Sequence, residues 1–141
     1  MSKGNNTENN ILKLIFNATT WNDIAENDTT SPSANLTVAL HTADPGEAGT
    51  QATNETAYTG YVRVSVVRTA GGWTVTGNSV SPTANIDFAE CTAAPGAAIT
   101  HVSVGTGVGN ELLYSGTLTP NITMAIGVIP RVKTTSTITE D

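Results

Sequence analysis

Residues 36–63, LTVALHTADPGEAGTQATNETAYTGYVR, begin as a strand, break into a long loop of small residues and return as a strand. In the first arm Leu36, Val38 and Leu40 point one way, and Asn35, Thr37 and His41 the other, as successive strand residues must. The second arm runs on into YVRVSVVR at 61–68, where Val62, Val64 and Val66 alternate with Tyr61, Arg63 and Ser65. Between the arms, Asp44-Pro45-Gly46 is a turn sequence: Asp caps, Pro fixes φ and Gly supplies a positive φ. Loop 42–60 therefore spans two strands of one β domain.

The same alternation recurs outward from this stretch. Ala70-Gly71-Gly72 is a turn signal and Trp73–Gly77 returns, so 61–77 is expected to form a hairpin. NSVSPTA follows as a loop, then a short strand at 85–89, a loop and a strand ending at Gly105. TGVGN turns, and 111–118 returns until Thr119-Pro120 breaks it. In the last segment Ile122, Met124, Ile126, Val128 and Val132 share one parity, with Pro130 marking an edge or a break. RVKTTSTITED runs out as a polar, β-prone tail.

On the N-terminal side, residues 1–8 are polar and read as an arm. Residues 9–27 form the one good helix candidate: Ile11, Leu14, Ile15, Ala18, Trp21 and Ala25 fall at three- and four-residue steps. Thr7, Asn9 or Asn10 would cap its start. Its apolar stripe has two destinations, its own domain or a partner protein. NDTTSPSAN (27–35) reads as a linker. The expected organisation is an arm, helix and linker over 1–34 and an antiparallel β domain over 35–141. The fold class is mainly β: an antiparallel β-sandwich or jelly-roll-like domain of about seven to eight strands with an N-terminal helix.

Composition narrows the function classes. The 141 residues carry a formal net charge of -6, and only 13% are charged, against about 25% in ordinary domains. Six Lys and Arg are spread along the chain, without the basic patch that phosphate binding needs, so nucleic acid is not an expected partner. No apolar run approaches the length of a membrane helix, and the start, MSKGNNTENN, does not read as a signal peptide. One cysteine, Cys91, excludes an internal disulfide and reads as a small buried apolar residue.

Several groupings invite a chemical reading. His41, Asp44 and Glu47 in HTADPGE carry metal-ligand donor types, but turn chemistry accounts for Asp44 without a metal. His101 lies in a strand, where a lone histidine is ordinarily structural. Convergence of His41, His101 and Cys91 is conceivable, but no spacing predicts it. Gly105, Gly107 and Gly109 miss the dinucleotide-binding spacing and precede a strand, which suits a hairpin turn. Tyr58, Tyr61 and Trp73 would make a sugar platform only if exposed, whereas strand aromatics mostly pack inward. No catalytic residue, cofactor or metal ligand is assigned.

The run ALHTADPGEAGTQATNETAYTGYVRVSVVR, then GGWTVTGNSV, ITHVSVGTG and LLYSGTLT, resembles a family of small β-rich structural proteins of tailed bacteriophages, labelled tail-fibre-like or head decoration proteins. The resemblance covers roughly residues 36–130 and is most specific in HTADPGEAGTQ…NE…Y.GY.RV. It implies a virion protein without enzymatic activity. The leading expectation is a capsid decoration (cement) protein, made in the host cytoplasm and bound to the major capsid protein at the capsid surface as a homo-oligomer. The alternative is a tail-fibre or host-recognition protein, and a small metal-dependent hydrolase is a remote third. Contact with a partner is expected through Trp21, His41, Asp44, Glu47, Tyr58 and Tyr61.

Overall fold

Alternation along the chain resolves into strands. A computed structural model describes residues 5–20, 33–107 and 109–140. One helix, α1 (Asn5–Asn17), precedes nine strands among the described residues: β1 (Asn35–His41), β2 (Val64–Val67), β3 (Trp73–Thr76), β4 (Ser79–Pro82), β5 (Ile86–Asp87), β6 (Ile99–Gly105), β7 (Leu112–Ile122), β8 (Arg131–Val132) and β9 (Ile138–Thr139). The fold is mainly β and antiparallel, of the sandwich class that the alternation predicts. The sheets have orders β2-β1-β6-β7 and β3-β4-β9, with β5 and β8 as a two-stranded pair.

The chain divides into two units. One comprises 1–34, 67–86 and 133–141, and the other 35–66 and 87–132. In the first, α1 packs on β3 and β4. Leu12 and Phe16, one helical turn apart, are buried with Trp73 and Val80. Phe16 meets Trp73 edge-on with ring centroids 4.7 Å apart, a geometry favoured by the ring quadrupoles. The buried stripe is therefore Glu8, Leu12 and Phe16, with Ile11, Leu14 and Ile15 only half-buried beside it.

The helix also differs in extent from the expected 9–27. It starts at Asn5, so the expected caps Thr7, Asn9 and Asn10 lie inside it. It stops at Asn17, where Ala18 takes φ 50. The left-handed conformation at that position ends helices. Trp21 and Ala25 lie outside the described residues.

Strand pairing overturns the expected 61–77 hairpin. β2 belongs to the β1 sheet and β3 to the β4 sheet. Thr69–Trp73 is a corner at which the chain changes sheets, closed by the Gly72 and Trp73 amides on the Thr69 carbonyl, each at 3.0 Å. The true hairpin follows: Thr76 pairs with Ser79, and Gly77 at φ 62 supplies the positive φ of a two-residue turn. NSVSPTA, expected as a loop, thus holds β4.

The end of the chain also departs from expectation. β7 continues through Thr119-Pro120 to Ile122. It is an edge strand, where a missing N–H is tolerated, and its register with β6 shifts between Ile99 and His101, accommodating the extra residues as a bulge. Beyond it, 123–130 is not a strand despite its period of two. Gly127 at φ 87 and the Val128 amide on the Ala125 carbonyl at 3.1 Å turn the chain. Ile126 is consequently 69% exposed and Ile129 53%.

β1 and β6 form the centre of the second unit, paired from Thr37–Gly105 through His41–His101. Leu36, Val38, Leu40 and Val104 are buried on one face. On the other face, Thr37, His41, Ser103 and Gly105 lie beneath loop 42–60.

Candidate functional site

The loop is fastened to the sheet by polar side chains. His41, at the last position of β1, is 0% exposed, and Ser103 on β6 is 1% exposed. The His41 Nδ1 lies 2.9 Å from the Thr53 carbonyl in the loop, and its Nε2 lies 2.7 Å from the Ser103 Oγ. A carbonyl only accepts, so Nδ1 carries the proton and Nε2 accepts from the serine hydroxyl. Both ring nitrogens are satisfied, as buried polar groups require. Burial pushes the His41 pKa below its ordinary value, outweighing the Thr53 hydrogen bond and the Glu55 charge.

Gln51, buried in the middle of the loop, is the second fastening. Its Nε2 donates to the Thr37 carbonyl at 3.0 Å and to the Ser103 Oγ at 3.4 Å. Its Oε1 accepts from the Thr37 hydroxyl at 2.7 Å. Position 105 must be glycine, because a Cβ there would run into the Glu111 carbonyl and the Gln51 carboxamide.

Glu55 and Arg63 close the return of the loop. The Arg63 Nε donates to the Glu55 Oε1 at 2.6 Å and its Nη2 to Oε2 at 2.7 Å, a bidentate pair. Tyr61 donates to the Glu55 Oε1 at 2.8 Å and accepts from the Leu40 amide at 3.1 Å. Arg63 also reaches the Asn110 Oδ1 at 2.8 Å. Burial pushes the Glu55 carboxyl up, but the hydrogen bonds of Arg63 and Tyr61, with the Arg63 charge, hold it below the usual range. Backbone bonds complete the fastening: Thr42 N to Asn54 O, Thr56 N to Leu40 O and Gln51 N to Asn110 O, each 2.9 Å.

HTADPGE does not assemble as a ligand set. His41 turns inward, while Asp44 and Glu47 are exposed. The Asp44 Oδ1 accepts from the Gly46 amide at 2.9 Å, the turn that the sequence predicts. Of the six expected contact residues, Asp44 and Glu47 face outward, Tyr61 is half-buried and Trp21 lies outside the described residues. His41 and Tyr58 are internal to this chain, Tyr58 being anchored on the Ala89 carbonyl at 2.8 Å. Tyr58 and Tyr61 pack edge to face at 5.4 Å, and Trp73 is 2% exposed in the other unit. These rings pack inward, as strand aromatics ordinarily do, and form no exposed sugar platform. His101 lies opposite His41 with its ring on Thr100 and Thr117, and Cys91 is buried, its thiol on the Ala93 carbonyl.

Sequence reasoning missed Gln51, Glu55, Arg63, Ser103 and Asn110 as a group. The signal lay in the motif itself, because Gln51, Glu55 and Arg63 are among its most specific positions.

Loop 42–60 is thus held to the sheet by His41, Gln51 and the Glu55–Arg63 pair, with small residues such as Ala43, Ala48 and Thr50 outward. A family model described as "Podophage GP4 fiber I protein gp80" matches residues 2–139. The chain belongs to that family of phage structural proteins. No curated protein matches it.

Proposed function

We propose that this chain is a structural component of a podophage tail fibre. The observation that carries the reading is the family match over residues 2–139, whose description names a fibre and not a capsid shell. That description favours the fibre over the decoration role expected first. Support also comes from the loop: a surface already fixed from beneath loses little conformational freedom on docking. The outward rim of 42–60, with Asp44 and Glu47, is the surface offered to other virion proteins, and copies of the chain associate as a homo-oligomer.

Immunogold labelling of intact phage with antibody to this chain tests the reading. Gold at the tail is the expected result. Gold spread over the head would overturn the fibre role and restore decoration.

A further inference from the structure

We propose that His41 makes loop 42–60 an acid-released latch: the neutral ring holds the loop on the sheet, and protonation lets it go.

A second ring proton would displace a hydrogen already placed in the network. In the neutral state the Ser103 hydroxyl gives its hydrogen to the His41 Nε2 at 2.7 Å and accepts from the Gln51 Nε2 at 3.4 Å. A proton on Nε2 reverses that bond, so the serine oxygen faces two donors and its own hydrogen must find another acceptor. The nearby Gln51 Oε1 already takes the Thr37 hydroxyl at 2.7 Å and the Arg63 Nη1 at 3.5 Å. The cheapest rearrangement releases Gln51, the side chain that pins the middle of the loop.

The charges facing His41 do not rescue the cation. Glu55 comes from the returning arm of the loop, Arg63 and Tyr61 from the stretch leading into β2, and His101 from β6. Glu55 is the one anion among them, and both its oxygens are occupied by Arg63 and Tyr61. Arg63 and His101 oppose a positive charge on His41, and burial opposes it most. A buried cation without its own partner is costly. The sign follows. The folded pKa lies below the unfolded value, so the latch is fully closed above the unfolded value and weakens as pH falls toward the folded one.

Amide exchange of the full chain by nuclear magnetic resonance tests the latch between about pH 7.5 and pH 4.5. After correction for intrinsic exchange, protection at Thr42, Gln51 and Thr56 is expected to fall about tenfold per pH unit below about 6.5, levelling at the folded pKa. The Thr83 amide, bonded to the Gly72 carbonyl, is the reference and holds its protection. In His41→Gln the step disappears, and in His101→Gln it stays. Flat protection in the natural protein, or a step that survives in His41→Gln, overturns the proposal. Should His41→Gln fail to fold, the natural ring decides. An Nδ1–H tautomer titrating well below about 6.5 supports the latch, and titration at the free value overturns it.

Discussion

Loop 42–60 and segment 123–130 both leave strands of the same unit, and they are built in opposite ways. The first is small and polar, yet it is fastened from beneath by His41, Gln51 and Glu55. The second has the cleaner apolar period, yet it turns Ile126 and Ile129 into solvent. Backbone bonds hold it: the Gly127 amide on the Cys91 carbonyl at 2.8 Å and the Cys91 amide on the Val128 carbonyl at 2.9 Å. Periodicity reports which residues share a side only while the chain stays extended. Once Gly127 turns the backbone, parity no longer sorts side chains, whereas a polar residue with distant partners can be as internal as a leucine.

The helix-bearing unit sets the energy scale for this contrast. Trp73→Ala removes a side chain that is 2% exposed and should cost about 3–5 kcal/mol, read by denaturant unfolding. Next is Gly105→Ala, where the new methyl meets the Glu111 backbone and must displace Gln51. Overpacking of this kind should cost about 3 kcal/mol and loosen loop 42–60 specifically. A loss confined to the strands, with the loop's protection unchanged, would break the claim that Gln51 fastens it.

Glu55→Gln keeps the shape but strips the charge from a pair with side-chain exposures of 22% for Arg63 and 18% for Glu55. The loss should be about 2 kcal/mol at neutral pH. Because the Glu55 pKa is lowered on folding, its contribution is present above the unfolded value of about 4.3 and is lost as pH falls below it. Stability measured in acid should therefore converge for the two proteins. The smallest effect belongs to the other segment: Ile126→Ser should change stability by about 0.5 kcal/mol or less. A larger loss would mean that segment 123–130 is packed after all.

Much of the fold was legible. β1 matches the expected strand because Leu36, Val38 and Leu40 alternate without interruption, and Gly107 and Gly109 turn β6 into β7 as their positions suggest. The turn at Asp44-Pro45-Gly46 was legible for the same reason, since its chemistry is local. The 61–77 hairpin was misread because two turn signals compete there, and which strand each arm pairs with is decided by distant partners. The helix ran short because Ala18 adopts a left-handed conformation that its side chain does not announce. The clamp was hidden for a different reason. His41 and Ser103 are 62 residues apart in sequence, and Gln51 reaches Thr37 across 14, so no window of local pattern contains both partners.

The central claim is that loop 42–60 is part of the folded core, and neutral-pH amide exchange at Thr42, Gln51 and Thr56 tests it most directly. We predict protection comparable to that of the β1–β6 ladder. Exchange at all three sites as fast as in an unstructured peptide would contradict the account.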